Sequence, residues 1–289
     1  MGGAASEEGL IAIDVGNSRV KLGWFPAVGA CAESGSGGAL AIAPPRLPEP
    51  QETLGGAIEK LEQGACGEWL QSLASGEVRV VVASVSRPIE ERITSCLTTE
   101  LSQLGIPGRF TSLRAEDVPI EARVDEPSRV GVDRLLAALA ATRLKRDVAP
   151  AIVVDAGTAI TVDLMSADGA FEGGAILPGV RMSAHALHEQ TDALPQHEME
   201  ELDASPSAIG KNTEQAIQAG LYWGAVGAVR ELISRQRDAL VEPPQVFLTG
   251  GAAPSVARLI GAPDHTVRYV PHLTLSGLAV AAQSSGPPT

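Results

Sequence analysis

Aromatic residues are scarce, with Phe, Trp and Tyr together making up 3% of the 289 residues. Any core must therefore be built mostly from Ala, Val, Leu and Ile. Cysteine is nearly absent too: Cys31, Cys66 and Cys96 are far apart and form no C-x-x-C pair. That argues against a disulfide framework and a cysteine zinc site, and with no signal peptide to read it predicts a reducing cytoplasm. Basic residues are outnumbered, giving a formal net charge of −13. Such a balance argues against a nucleic-acid surface, which needs clustered Lys and Arg. It leaves room for an anionic ligand, because backbone N–H groups and a bound cation can supply local positive potential. No apolar run is long enough to span a bilayer, so no membrane partner is expected. His185 and His188 could share a helix face as metal ligands, with His197 further on. Without an H-E-x-x-H pattern they read as a helix surface and the loop after it.

What the chain does have is length for two domains and 44% apolar residues, as in an α/β protein. It is organised around Ala151 to Gly179. Ile152-Val153-Val154 reads as a buried strand that ends at Asp155, and Gly157-Thr158 turns the chain into a second β-prone run, Ile160-Thr161-Val162. The same pattern stands near the N-terminus: Ile11-Ala12-Ile13, Asp14, Gly16-Asn17-Ser18, then Val20-Lys21-Leu22. Two strand-Asp-x-Gly hairpins predict a duplicated unit closing on one phosphate-bearing ligand. Glycine turns offer N–H groups to phosphate oxygens, and hydroxyls and a divalent cation add to them. A lone D-x-G is usually only a turn; two in matched contexts, with Thr249-Gly250-Gly251 after a third strand, are a stronger signal.

In chain order, Met1 to Gly9 reads as a disordered tail and Leu10 to Phe25 as the first hairpin. Gly29 to Gln51, rich in Gly, Ala and Pro, reads as a long irregular connection around a short strand. Leu54 to Leu73 has helical spacing, Val78 to Ser84 is a buried strand, and Ile89 to Leu104 is helical. The polar, Pro-containing Val118 to Arg129 is the candidate boundary, giving domains 10–128 and 129–289, with a last helix that could return to the first. Gly131-Val132-Asp133-Arg134 opens a helix of small residues after Leu135, suited to close packing inside the chain or against a second subunit. A strand and turn at Phe171 to Gly179 precede a helix over Val180 to His188. A long helix follows Gly210-Lys211-Asn212-Thr213, and Gly220, Gly224 and Gly227 within it predict a tight contact on that face.

Taken together, Asp14-Val15-Gly16-Asn17-Ser18, Gly131-Val132-Asp133-Arg134, Asp155-Ala156-Gly157-Thr158-Ala159, Gly173-Gly174-Ala175-Ile176-Leu177-Pro178-Gly179, Gly210-Lys211-Asn212-Thr213 and Thr249-Gly250-Gly251 resemble, in that order, the blocks of type III pantothenate kinases. That family belongs to the acetate kinase, sugar kinase and actin superfamily, and the resemblance runs from about Leu10 to Leu278. It implies an α/β fold of two ribonuclease-H-like domains with an interdomain nucleotide cleft. The implied activity is ATP-dependent phosphorylation of pantothenate, the first step of coenzyme A synthesis, in a cytoplasmic homodimer.

Carried over position by position, the resemblance implies that Asp14 holds magnesium. The loop Asp14, Val15, Gly16, Asn17, Ser18, Arg19, Val20 and Lys21 would cradle the nucleotide phosphates, and Thr158 would touch ATP. Asp133 would be the general base. Gly131, Val132, Asp133, Arg134 and Thr213 would contact pantothenate, the arginine fork suiting its carboxylate. Asp155 would bind a monovalent cation, potassium or ammonium. Where the family often has Tyr-x-Asn-Pro, this chain has Val124-Asp125-Glu126-Pro127, which removes a tyrosine that would line the pantothenate site. The Ser-Val-Val-Pro block is loosened to Ser84-Val85-Ser86-Arg87-Pro88. Two further readings are a non-catalytic, ATP-binding relative acting as a transcriptional accessory factor and a kinase for another small hydroxy acid, sugar or acetate.

Overall fold

The computed structural model describes residues 8–26, 47–73, 76–146, 149–196, 205–251 and 267–284. Most of the expected tail, most of the Pro-rich connection, Cys31, His197 and Pro287-Pro288 lie outside the described residues. The chain divides into two compact units. One comprises Met1–Pro119, Glu126–Leu144 and Thr274–Thr289, the other Ile120–Asp125 and Lys145–Leu273. In place of a single cut between residues 128 and 129, the units exchange segments along the chain.

In the first unit, β1 (Gly9–Val15) and β2 (Val20–Phe25) form the expected hairpin, with Asp14 opposite Lys21. β3 (Glu52–Gly56) pairs antiparallel with β2, so Leu54 lies in an edge strand and not in the helix its spacing suggests. α1 (Ile58–Lys60), a wide turn at Leu61–Ala65 and α2 (Cys66–Leu73) lead to β4 (Val78–Ser84). α3 (Arg87–Gln103) and β5 (Gly108–Leu113) complete a sheet of order β3-β2-β1-β4-β5, in which β1, β4 and β5 run parallel. Strand periodicity sorts the side chains. Ile11, Ile13, Leu22, Val80 and Val82 turn to one face and pack with Leu70 of α2 and Ile93 and Leu97 of α3. α4 (Val132–Thr142) belongs to this unit and contacts β4.

The second unit repeats the plan. β6 (Ala151–Ala156) and β7 (Ala159–Met165) form the second hairpin, and β8 (Phe171–Pro178) pairs antiparallel with β7. α5 (Val180–Glu189) and the long α6 (Thr213–Asp238) follow. β9 (Gln245–Thr249) and β10 (Val267–Tyr269) extend the sheet in parallel beyond β6. Its order, β8-β7-β6-β9-β10, has the connectivity and strand directions of the first sheet. Here Ile152, Val154, Val162, Val246 and Leu248 pack under Tyr222, Val226, Val229 and Ile233 of α6.

α7 (Leu273–Ser284) returns, from Thr274 on, to the first unit. With α4 it lies on the sheet face opposite α2 and α3. Gly23 of β2 sits against Leu275, and Arg79 of β4 donates to the Ala282 carbonyl at 2.8 Å. The two helices meet where a Cβ on Gly277 would collide with the Leu136 backbone. Ala137, Ala138, Ala140 and Ala141 are all buried. The small residues after Leu135 are thus used inside the chain. The glycines of α6 behave differently: among the described residues nothing lies within 4 Å of a Cβ placed on Gly220, Gly224 or Gly227. The tight contact expected there is absent among the described residues.

Candidate active site

Asp14 ends the buried run of β1, and its carboxylate is almost fully enclosed. Asp14 and Lys21 occupy paired positions, and Lys21 Nζ stands 3.9 Å from Asp14 Oδ2, a loose ion pair. Beyond them the Gly16 amide donates to the Arg19 carbonyl at 3.0 Å, closing a turn whose Asn17, Ser18 and Arg19 are exposed. Val15 and Val20 flank the turn and are buried, so they anchor it while the polar residues stay open to a ligand.

Asp14 alternates with Ile13 and Val15 and so shares the face covered by α4 and α7. α4 begins at Gly131, with Val132 buried and Asp133 and Arg134 half-buried in its first turn. The Arg134 amide donates to Asp133 Oδ1 at 2.9 Å, which fixes the carboxylate over the helix start. A side chain at position 131 would press on that oxygen, which explains glycine there by space. The first unit therefore holds the phosphate-loop candidate and the base candidate on one side of its sheet.

In the second unit, Asp155 occupies the position in β6 that Asp14 occupies in β1. Its cross-strand partners are Thr161 on β7 and Thr249 on β9. The Gly157 amide donates to the Ala159 carbonyl at 3.1 Å, giving a tight turn with Thr158 at its tip. Gly179 donates to the Thr158 carbonyl at 3.0 Å, and a Cβ on it would collide with the Gly157 and Thr158 carbonyls. The L-P-G block thus packs directly on the turn. Thr213 is exposed at the first residue of α6. Asn212 caps that helix by accepting from the Gln215 amide at 2.9 Å, while the Lys211 amide donates to the Gln215 side chain at 2.9 Å.

Asp163, and the row that Thr161 and Thr249 form with Asp155, escaped the sequence reading. Thr161, Thr249 and the fully buried Asp163 lie on the Asp155 face of the sheet, two of them in one transverse row with it. The alternation Ile160, Thr161, Val162, Asp163 carries the signal, since polar residues at period two mark one face. Asp163 also explains Gly174, where a Cβ would meet its carboxylate.

Magnesium takes oxygen ligands, keeps several waters and leans on substrate phosphates, so one or two protein carboxylates suffice. Enclosed Asp14 beside an open glycine turn fits that role. Among the described residues no group of three or more His, Cys, Asp or Glu forms a metal cage. His185 pairs with Glu189 at 3.1 Å, and the His188 ring meets the Leu194 carbonyl at 2.9 Å, so both serve the surface of α5 and the loop after it.

Two sheets of identical 3-2-1-4-5 connectivity, each with an Asp-x-Gly hairpin, define the two-domain actin-like kinase fold. A solved structure of a putative 2-dehydro-3-deoxygalactonokinase from Sinorhizobium meliloti shares it, with a TM-score of 0.56 over 96% of this chain and 100% of that chain at 12% identity. The family model for type III pantothenate kinase matches residues 10–235, and the chain belongs to that family. A type III pantothenate kinase from Rubrobacter xylanophilus is 34% identical over 278 residues, covering 94% of this chain and 96% of that protein. One from Parafrankia sp. is 33% identical over 279 residues, covering 96% and 99%. One from Gluconobacter oxydans is 44% identical over 173 residues, a match that spans only 61% of that relative's length.

Proposed function

We propose that this protein transfers the γ-phosphoryl group of ATP to the hydroxyl of pantothenate. The observation that carries this reading is the intact Gly131-Val132-Asp133-Arg134 block at the start of α4, on the Asp14 side of the first sheet. Asp133 takes the acceptor proton as the phosphoryl group moves, and the Arg134 amide on Oδ1 holds its carboxylate in place. Arg134 binds the pantothenate carboxylate through a charge-assisted fork, and Thr213 adds a hydroxyl at the N-terminus of α6. The Gly16 turn orients the nucleotide phosphates, with Lys21 beside Asp14 as a further cation. Asp14 would hold magnesium, which when bound would offset the charge of the phosphates. Thr158 contacts ATP from the second hairpin.

Asp155 takes a monovalent cation, potassium or ammonium. Its row neighbours are threonines where Asp14 has Lys21, and neutral oxygens beside one carboxylate suit a weakly held cation. The protein works in the cytoplasm as a homodimer, and the uncovered glycine face of α6 is the surface available for close helix approach.

The test is ADP release with magnesium-ATP, with and without pantothenate, against a panel of small hydroxy acids, sugars and acetate. Pantothenate-dependent release is expected. Nucleotide binding with no turnover on any acceptor would instead favour the accessory-factor reading, and turnover on another acceptor alone would move the substrate.

A further inference from the structure

Two cysteines far apart in the chain meet inside the first unit. Cys66 opens α2 and is fully buried, while Cys96 lies in the middle of α3 and is half-buried. Their thiols are hydrogen-bonded to each other. Cys66 belongs to the core that Leu70, Ile93 and Leu97 build under the sheet, and Cys96 packs against that core. The next residues confirm the close approach of the two helices. A Cβ on Gly67 would meet the carboxylate of Glu100, one helical turn beyond Cys96. Burial pushes the Cys66 thiol up to about 12, and Cys96, Glu100 and Glu62 add to it. Cys66 is therefore protonated at neutral pH and donates to Cys96. Burial raises Cys96 as well, but the hydrogen bond from Cys66 offsets part of that rise. The two sulfurs are thus unequal. Cys96 is the one a solute meets, and Cys66 stands behind it as a second thiol.

We propose that Cys66 and Cys96 are an oxidative modification site, a dithiol that a hydroperoxide closes into an intrachain disulfide between α2 and α3. Cys96, as thiolate, attacks a peroxide oxygen. An S–O bond forms, the O–O bond breaks, and the departing hydroxide takes a proton from solvent, which leaves Cys96 as a sulfenic acid. The Cys66 sulfur then attacks the Cys96 sulfur. The S–S bond forms, the S–O bond breaks, and the hydroxide leaves with the Cys66 proton as a second water. The two thiols give up two electrons and the peroxide takes them. A thiol without a partner would pass on to the sulfinic acid, whereas a second thiol in contact stops the sequence at a reversible step. In a reducing compartment the pair rests as thiols and closes only under peroxide. It lies on the face of the first sheet opposite Asp14, so the inference is independent of the proposed activity.

The experiment treats the full chain carrying Cys31→Ser with hydrogen peroxide at mildly alkaline pH. The protein is then unfolded, its free thiols are alkylated, and it is read by intact mass and peptide mapping. Cys96→Ser and Cys66→Ala are treated in the same background. Expected are the loss of both free thiols, a mass lower by their two hydrogens, a peptide pair linking Cys66 to Cys96, and full reversal by dithiothreitol. Cys96→Ser leaves the buried thiol in place and should show none of these, with Cys66 still open to alkylation. Cys66→Ala should carry added oxygen at Cys96 instead of a cross-link. Three results would each overturn the proposal: both thiols still alkylated at peroxide excess, oxygen added to Cys96 with no cross-link while Cys66 is present, or a cross-link that joins two chains. If Cys66→Ala does not fold, the Cys31→Ser protein and Cys96→Ser still decide the matter between them.

Discussion

The two hairpins are built alike and furnished differently. Each ends a buried parallel strand in an aspartate, follows it with a glycine turn and returns antiparallel. Beside Asp14 the return strand carries Lys21 and the neighbouring parallel strand carries Ala83. Beside Asp155 the same two places hold Thr161 and Thr249. The first turn spans Gly16 to Arg19 and exposes polar residues; the second is closed by Gly157 and buttressed by Gly179. A duplicated scaffold thus supplies one carboxylate with a cationic neighbour and one among hydroxyls. In the proposed function the first serves the phosphate chain and its divalent cation, and the second a monovalent ion.

The largest effect expected from this division lies at Asp133. Asp133→Asn keeps the helix start but cannot accept a proton, so kcat should fall by about 10²–10⁴ while nucleotide binding persists. Turnover near the wild-type rate would reduce Asp133 to a helix-start residue. The hairpins themselves are separated by Asp155→Ala, which should abolish activation by potassium or ammonium. A wild type indifferent to those ions in rate assays would remove the functional distinction between the two aspartates.

Packing differs between the units as well, and glycine substitutions read it. Gly277→Ala forces the α7–α4 crossing apart and should cost about 1–3 kcal/mol or more in a urea titration. Gly224→Ala meets open space in α6, where helix propensity alone favours alanine by about 0.5–1 kcal/mol. If that face pairs two subunits, Gly224→Ala should weaken association by sedimentation even as the single chain gains stability. A monomeric wild type at working concentrations would count against the dimer. The smallest expected effect is at residue 124: Val124→Tyr should tighten pantothenate by a factor of a few up to roughly ten, the worth of one neutral hydrogen bond, with ATP unaffected. An unaltered KM would place residue 124 away from the acceptor.

Much of this was legible because the signals were local. The paired hairpins, the strand Val78–Ser84, the helices after Ser86 and Asn212, and the Gly131 and Gly210 blocks carry local signals, the last with the Asn212 cap. Three edge strands did not announce themselves, although the fourth, β8, did. β3 contains Gly55 and Gly56, β5 is largely exposed, and β10 has three residues, so each is defined by its neighbour's hydrogen bonds. The home of α4 was equally hidden, since its alanines fit an interface as well as a core. Only Gly277, about 140 positions further on, makes the close crossing. Within the site, Asp14, Asp133 and Asp155 stood out by motif. The pairing of Thr161 and Thr249 with Asp155 did not, because it is a sheet register and not a spacing along the chain.

The central claim is best tested by following the product directly. Purified protein, magnesium-ATP and pantothenate are incubated with and without potassium chloride, and the acceptor is analysed by mass spectrometry. The account predicts pantothenate carrying one added phosphoryl group, formed faster with potassium. Pantothenate left unmodified while ATP is bound or spent on another acceptor would contradict it.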